Sequence, residues 1–290
     1  MKIDLSKYPQ LLIDELSRYG IQPTGNLDWD KELLHTMRTR ATEAAAAEAA
    51  HLEAVIRKVD EDAARSRQSF PDLTDPAVYE IHARLFMRVA NSIVLATQHR
   101  RFTIDQHNEK VLRFLLYYFN NCELAEEVFP DRHYKLHKNI MLQGGLGVGK
   151  TLLMQCFSEY LRRIRSPRFF HNLSVTQMVN YYTIHNNFDR YTFHEEGSKG
   201  LRPQPENICL NDVGLNDDKV FYGMNTSVLT DDFLLARNDI WAGWDKFAHI
   251  TTNLDEKALI ERFTRSDKYG RIIDRFKTYN VIPLTGDSRR

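Results

Sequence analysis

Eight residues near the middle of the chain constrain its fold more than any others. The segment GGLGVGKT, residues 144 to 151, fits the pattern G-x-x-x-x-G-K-[ST]. An apolar run from Ile140 to Leu142 precedes it, and apolar residues at helical spacing follow it. Glycines let backbone N–H groups turn toward phosphate oxygens without interfering side chains, and a helix N-terminus adds partial positive charge. The sequence therefore predicts a strand, a phosphate-binding loop and a helix, in that order.

The residues of this loop have different predicted roles. Lys150 is expected to bridge the β and γ phosphates of a nucleoside triphosphate, and the Thr151 hydroxyl is expected to hold Mg²⁺. We therefore predict ATP and Mg²⁺ as ligands. The predicted nucleotide-binding residues are Gly144, Gly145, Gly147, Val148, Gly149, Lys150, Thr151 and Leu152.

A carboxylate at the end of a neighbouring strand is the second requirement of such a site. The segment NICLNDVG, residues 207–214, supplies Asp212, preceded by Asn211 where a second acidic residue is usual. We predict Asp212 as a catalytic residue and, with Thr151 and Asn211, as part of the magnesium site. With an amide in place of one carboxylate, either the metal or the attacking water loses a charged partner, so we expect slow intrinsic hydrolysis. The alternative is that Asp212 only caps a turn.

Three further polar residues are candidates for contacts with the γ-phosphate. Asn253 ends the predicted strand FAHITTN, where its amide would touch the γ-phosphate or the attacking water; alternatively, it caps the helix that follows. Arg271 and Arg275 lie four residues apart in YGRIIDRFKTYN, on one face of a predicted helix. An arginine that reaches a neighbour's γ-phosphate stabilises transition-state charge, and Arg275 is our first candidate, ahead of Arg271. The alternative for both is an exposed basic helix that contacts nucleic acid or nothing.

The order of the predicted elements indicates the fold class. From about residue 138, amphipathic helical patterns alternate with the short strand candidates KNIMLQ, RFFHNLS, NICLN and KFAHITTN. This alternation predicts an α/β fold with a central parallel sheet and helices on both faces. Earlier, residues 31–69 resemble one long helix or a helical pair, and residues 77–99 a further helix. We predict a helical N-terminal region, residues 1–100, followed by a nucleotide-binding domain, residues 101–290.

Charge and cysteine content exclude several classes of protein. Lys plus Arg and Asp plus Glu both number 39 among 290 residues, so the net charge indicates no particular partner. The three cysteines form no CxxC pair, which fits a reducing compartment, and no apolar run approaches the length of a membrane span. We expect a cytoplasmic protein that makes no membrane contact. Local basic clusters are either DNA contacts or solvated surface: Arg100, Arg101, Arg162, Arg163, Arg165 and Arg168.

Taken in order, the motifs resemble those of the DnaC/IstB group of AAA+ ATPases, which comprises DnaC-type helicase loaders and helper ATPases of transposition. GGLGVGKT, LNDVG, ITTNLD, YGRIIDRF and the closing GDSRR carry the resemblance, which runs from about Phe102 to the last residue. This sequence departs from the group in two places. Asn211 replaces the usual Asp, and only about 15 residues follow Arg275, so we expect the usual helical lid to be missing or reduced. We therefore assign no second sensor arginine.

The resemblance implies an AAA+ core that binds ATP and Mg²⁺. It also implies ATP-dependent assembly into a homo-oligomer with shared sites, and single-stranded DNA near the axis of the assembly. For a loader, it implies that residues 1–100 grip a replicative hexameric helicase. The sequence thus predicts an ATP-dependent loader or accessory factor for a replicative helicase in DNA replication. The alternative is an IstB-like transposition helper ATPase that acts with a transposase. A small-molecule kinase and a scaffold that binds ATP without hydrolysing it are weaker alternatives.

Overall fold

A computed structural model of the chain describes residues 8–67, 70–192, 205–214, 220–221, 224–267 and 269–289. Contacts divide the chain into two compact units, Met1–Gln68 and Ser69–Arg290. This division comes well before the boundary near residue 100 that the sequence predicted. The reason is that the helix over residues 76–98 packs into the second unit, where the rings of Phe86 and Phe157 stack with centroids 4.3 Å apart.

The first unit is a pair of helices, α1 (Gln10–Arg18) and α2 (Leu27–Arg67). The fully buried carboxylate of Asp30 accepts hydrogen bonds from the Tyr8 hydroxyl at 2.7 Å and the Thr24 N–H at 2.9 Å. These hydrogen bonds connect Tyr8, which precedes α1, and the turn between the helices to the first turn of α2. The sequence predicted either one long helix or a helical pair over residues 31–69, and α2 is one uninterrupted helix. A small apolar cluster fills the space between α1 and α2: Tyr8, Leu12, Leu16 and Leu34.

The second unit alternates strands and helices after three initial helices. Its helices are α3 (Pro76–Gln98), α4 (Glu109–Phe119), α5 (Leu124–Val128), α6 (Lys150–Arg163), α7 (Val175–His185), α8 (Thr226–Trp244), α9 (Glu256–Ser266) and α10 (Arg271–Arg275). Its strands are β1 (Asn139–Gln143), β2 (His171–Ser174), β3 (Ile208–Val213), β4 (Val220–Phe221), β5 (Met224–Asn225), β6 (Ala248–Thr252) and β7 (Tyr279–Pro283). Short β4 and β5 form a separate antiparallel pair.

Five strands form one sheet in the order β2-β3-β6-β1-β7, and every neighbouring pair is parallel. All five carboxyl ends therefore meet at one edge of the sheet, which is where ligands bind in open α/β folds. The predicted fold class, α/β with a central parallel sheet, is confirmed. Strand β7 was not among the predicted strands.

Helices cover both faces of this sheet. Ile140 and Leu142 of β1 belong to an apolar cluster shared with α3, α4 and α6, whereas Met141 belongs to a cluster shared with α7, α8 and α9. Successive strand residues point to opposite faces, so one strand contributes to both layers. A strand buried on both faces has a continuous apolar run, as Ile140, Met141 and Leu142 show at the centre of β1.

Local sequence signals explain several helix boundaries. Ser174 and Gln177 form a reciprocal capping box at the start of α7, with hydrogen bonds of 3.1 and 2.9 Å, as their spacing predicted. Asp75 caps α3 by accepting the Ala77 N–H at 2.8 Å, and Pro76 follows at the first helical position. None of the helices in the described parts of the chain is long and apolar enough to cross a membrane.

Candidate functional site

The glycine-rich loop connects the carboxyl end of β1 to the first turn of α6. Gly144 N–H donates to the Thr252 carbonyl at 3.2 Å, which fixes the start of the loop beside the end of β6. A Cβ atom on Gly144 would overlap the Leu284 carbonyl oxygen, so no larger residue fits there. Gly147 and Gly149 have φ of +81° and +99°, in the left-handed region that favours glycine. The loop conformation thus requires the glycines that the motif supplies.

Lys150 is the first residue of α6, and its ammonium group lies inside the loop. Its Nζ donates to the carbonyl oxygens of Gly144 and Gly145, both at 2.8 Å, and to Asn253 Oδ1 at 2.6 Å. The residue is only 5% exposed. The ammonium group is therefore already desolvated and aimed at the loop interior, where its charge interacts more strongly with an anion than it does in water.

A cavity of about 310 Å³ opens beside the loop at the carboxyl edge of the sheet. Four predicted residues with polar side chains line it: Lys150 and Thr151 from α6, Asp212 from β3 and Asn253 from the end of β6. The remaining lining residues are Thr97, Gln98, Arg100, Leu146, Gly147, Gly149, Leu152, Gln155 and Arg289. Asp212 is the one carboxylate among these described lining residues, so the cavity is predominantly basic.

A smaller cavity of about 40 Å³ adjoins the same loop. Val148, Gly149 and Leu152 line it from the loop and the first turn of α6, and Phe102 and Leu284 line it from two other segments. Charged Arg101 and Arg289 line it as well. The predicted nucleotide-binding residues divide between the two cavities: Val148 lines only the small one, Lys150 lines only the large one, and Gly149 and Leu152 line both.

The two polar residues of the acidic strand have different environments. Asp212 lines the large cavity with φ of +62°, and its N–H donates to Thr251 Oγ1 at 3.0 Å. Asn211 is 3% exposed and does not appear among the described cavity-lining residues. Its Nδ2 donates to Asn172 Oδ1 at 3.2 Å, and its Oδ1 accepts from Thr251 Oγ1 at 3.3 Å. Thr151 and Asp212 are therefore better placed than Asn211 for the predicted contact with magnesium.

The two candidate finger arginines lie outside this cavity. In α10, Arg275 pairs with Asp239 of α8 at 3.0 Å, and Arg271 pairs with Asp267 at 3.3 Å. Neither is among the described residues that line the cavity. The side chain of Arg271 is 62% exposed and that of Arg275 is 32% exposed. Both can face a second molecule without any change in the fold.

The structure separates the basic residues that the sequence grouped as DNA contacts. Arg168 is a structural residue: its guanidinium donates to the carbonyls of Tyr118 and Leu136 and lies over the ring of Phe247 at 4.9 Å. Burial holds the pKa of Arg168 below its usual value. The other five predicted arginines are surface or cavity residues: Arg162 and Arg163, both paired with Glu159, exposed Arg165, and Arg100 and Arg101, which line cavities.

Sequence reasoning did not find all the cavity residues. Arg289 lines both cavities, as Arg100 does, although the two residues are far apart in the sequence. Arg289 belongs to the closing GDSRR, to which the sequence assigned no role in the site, because the contact depends on how the segment after β7 returns across the loop. Arg289 N–H donates to the Gly147 carbonyl at 2.9 Å.

The donor chemistry of the cavity fits a nucleoside triphosphate with Mg²⁺. Thr151 and Asp212 offer a hydroxyl and a carboxylate, which are oxygen ligands of the type that Mg²⁺ prefers. Among the described residues, no group of three or more His, Cys, Asp and Glu side chains is placed to hold a metal ion by itself. This agrees with a site in which phosphate and water oxygens complete the coordination of Mg²⁺.

The strand order brings the predicted motifs together. β6, which Asn253 follows, lies between the loop strand β1 and the acidic strand β3. The second unit is an α/β domain with a five-strand parallel sheet, an arrangement consistent with an AAA+ core. The phosphate loop follows β1, Asp212 lies near the end of β3 and Asn253 follows β6, so three adjacent strands bring them to one edge of the sheet.

Solved structures of similar fold include replication proteins. The DnaC helicase loader shares 14% identity with a TM-score of 0.41, over 65% of this chain and 95% of that chain. The replication initiator DnaA bound to AMPPCP and single-stranded DNA shares 14% identity with a TM-score of 0.41, over 64% and 49%. Domain III of Thermotoga maritima DnaA shares 12% identity with a TM-score of 0.40, over 63% and 65%. The matched region thus spans about half of the first DnaA chain.

No protein-family profile matches the sequence, and no curated protein matches it.

Proposed function

We propose that this protein is an ATPase that serves as a loader or accessory factor for a replicative helicase. The observation that carries the ATPase part is the convergence of Lys150, Thr151, Asp212 and Asn253 on one cavity of about 310 Å³. These residues come from the loop and from the ends of β3 and β6. An ammonium, a hydroxyl, a carboxylate and an amide at one sheet edge are the groups that phosphoryl transfer uses.

In the proposed complex, the larger cavity takes the triphosphate, and the base lies outside it on the side of the loop where Val148 and Phe102 lie. Backbone N–H groups of the loop and the N-terminus of α6 favour negative charge at the phosphates. Lys150 already donates to Asn253, so the same two side chains are in place to contact a γ-phosphate together. Thr151 and Asp212 would hold Mg²⁺, which supplies charge neutralisation at the phosphate oxygens.

Slow turnover follows from the single carboxylate on the cavity wall. Asp212 can either hold the metal or polarise the attacking water, and Asn211, buried against Asn172, offers no second carboxylate. A factor that binds its partner in the ATP-bound state and releases it after hydrolysis can function with slow turnover. We infer a switch-like ATPase whose rate depends on a neighbouring subunit, with Arg275 as the residue that completes the site and Arg271 as the second candidate.

The helicase and single-stranded DNA are proposed as partners from the resemblance of the motifs. The first unit supports a partner-binding role because its long helix α2 exposes large apolar side chains. Leu52, Val55 and Ile56 lie on one face and are 59%, 45% and 53% exposed. Exposed apolar residues grouped on one face mark interaction sites.

Co-purification tests this proposal. The tagged protein is mixed with a hexameric replicative helicase and single-stranded DNA, with and without ATP, and the eluate is analysed by size. We expect a complex whose formation depends on ATP and is lost in Lys150→Ala, while Lys257→Ala, an exposed lysine on α9, behaves as wild type. A complex with a transposase instead of the helicase would replace this proposal with the transposition alternative. ATP-independent binding to the helicase would contradict the switch.

A further inference from the structure

The segment that follows β7 lies directly on the phosphate loop. Leu284 N–H donates to the Gln143 carbonyl at 2.7 Å, and the Leu284 carbonyl oxygen occupies the space beside Gly144. At the other end of the segment, Ser288 packs against Gly147, and Arg289 N–H donates to the Gly147 carbonyl at 2.9 Å. Residues 284–289 therefore contact both the start and the middle of the loop.

One ion pair fixes the far end of this segment. The guanidinium of Arg289 donates to both carboxylate oxygens of Asp105, at 2.9 and 2.7 Å. The pair is partly buried, with side-chain exposures of 20% for Arg289 and 37% for Asp105. Both bonds come from one nitrogen, Arg289 Nη2, which is shared between the two carboxylate oxygens. Hydrogen bonds between two charged groups are stronger than those between neutral groups.

Asp105 is itself held by the turn that begins α4. Its Oδ1 accepts the N–H groups of His107 at 2.9 Å and Asn108 at 3.2 Å. Burial alone would raise the pKa of Asp105, but its hydrogen bonds from Arg289, His107 and Asn108 outweigh burial and hold the pKa below its usual value. The carboxylate is therefore charged and rigidly placed, and it connects the turn before α4 with the segment on the loop.

We propose that Asp105 is a positioning residue for nucleotide binding. It anchors Arg289, and Arg289 holds residues 284–289 against the phosphate loop, so that the loop keeps its binding conformation. This inference rests on the proposed ATPase function. A loop with four glycines in six positions has much backbone freedom to lose when it closes on phosphates. Contacts that order it beforehand reduce that cost and raise affinity.

This role differs from direct contact between Arg289 and a phosphate. The guanidinium already makes two hydrogen bonds to Asp105 and a longer one, of 3.4 Å, to the Thr103 carbonyl. If Arg289 were instead a phosphate ligand, Asp105 would compete with the nucleotide for it. If Asp105 positions Arg289, removing the Asp105 charge should weaken nucleotide binding. If Arg289 binds phosphate directly, removing that charge should leave nucleotide binding unchanged or tighten it.

The test measures ATP and ADP affinity by calorimetric titration of full-length variants. We expect Asp105→Asn and Arg289→Gln each to weaken binding of both nucleotides about tenfold, the equivalent of one charge-assisted contact. The double variant should be no weaker than either single variant, because both changes break the same contact. Arg289→Lys, which keeps the charge but loses the planar guanidinium, should fall between wild type and Arg289→Gln.

The matched control is Glu109→Gln on α4. It removes an ion pair with Arg113, 3.2 Å long and solvent-exposed, whose residues are not among the described residues that line either cavity. Nucleotide affinity in this variant should equal that of wild type. Thermal unfolding without nucleotide is measured in parallel, so that a loss of stability is separated from a loss of affinity.

Three outcomes overturn the inference. The first is tighter or unchanged ATP binding in Asp105→Asn together with weaker binding in Arg289→Gln, which identifies Arg289 as a phosphate ligand. The second is a lower melting temperature with unchanged affinity in both variants, which identifies a purely structural pair. The third is additive losses of affinity in the double variant.

Lys150→Ala separates these outcomes from failure of the proposed function. Only equal ATP affinity in wild type and Lys150→Ala argues against ATP binding in this cavity.

Discussion

Two adjacent residues on β3 face different surroundings, and this difference governs the chemistry of the cavity. Asp212 lines the cavity, whereas Asn211 is buried and bonded to Asn172 and Thr251. The pairing of β3 with β6 shifts register between Leu210 and Val213, so simple alternation along the strand does not place these side chains. The sequence pattern predicted a contact between Asn211 and the metal. In the structure, Asn211 instead contributes to the packing of the sheet.

Replacing Asn211 with Asp is expected to destabilise the protein without increasing turnover. The new carboxylate would be buried beside the Cys209 carbonyl and the Asn172 amide oxygen, and a buried charge without a cationic partner is costly. We expect a loss of about 2 kcal/mol or more in the free energy of unfolding, measured by urea denaturation. Asn211→Ala, which adds no charge, is the control and should lose less. A stable Asn211→Asp variant with faster ATP hydrolysis would show that this side chain reaches the cavity.

At the scale of elements, the sequence predicts best where the signal is local. The strand–loop–helix unit around Lys150, the capping box of α7 and helix α3 all agree with prediction, because each depends on residues close in sequence. Strand β7 was missed because YNVIP is short and contains Pro283 at its end. Proline is tolerated there because β7 is the last strand of the sheet and pairs only with β1.

The candidate site was predictable in part, for the same reason. Lys150, Thr151, Asp212 and Asn253 each follow a motif, and the structure brings them together. Arg289 lies in GDSRR, but the sequence assigned it no role in the site, since its place on the cavity depends on the path of residues 284–289 and on a contact with distant Asp105. Such contacts between distant segments are set by packing rather than by propensity.

At the scale of the whole molecule, the cavity lacks an arginine finger of its own from α10. Arg275 pairs with Asp239, and the described cavity wall does not include it. In the proposed homo-oligomer, this arginine acts on the site of a neighbouring subunit. Hydrolysis would then require assembly, which links the ATPase rate to the presence of partners.

A complementation experiment tests this arrangement. Arg275→Ala should keep its ATP affinity and lose at least about tenfold in turnover, because a charge that stabilises the transition state is absent. Lys150→Ala should be nearly inactive, because its own site binds ATP weakly and lacks the ammonium group at the γ-phosphate. Mixing the two variants should restore part of the activity, since Lys150→Ala subunits supply Arg275 to intact sites. Lys277→Ala, on the same surface, is the control. Absence of recovery at every mixing ratio would argue against a shared site.

The most direct test of the whole account is a calorimetric titration of the protein with ATP and Mg²⁺, in wild type and Lys150→Ala. The account predicts one ATP per wild-type chain and a loss of affinity of about thirty- to a hundredfold in the variant, because a desolvated ammonium group no longer contacts the phosphates. Equal affinity in the two proteins would contradict it.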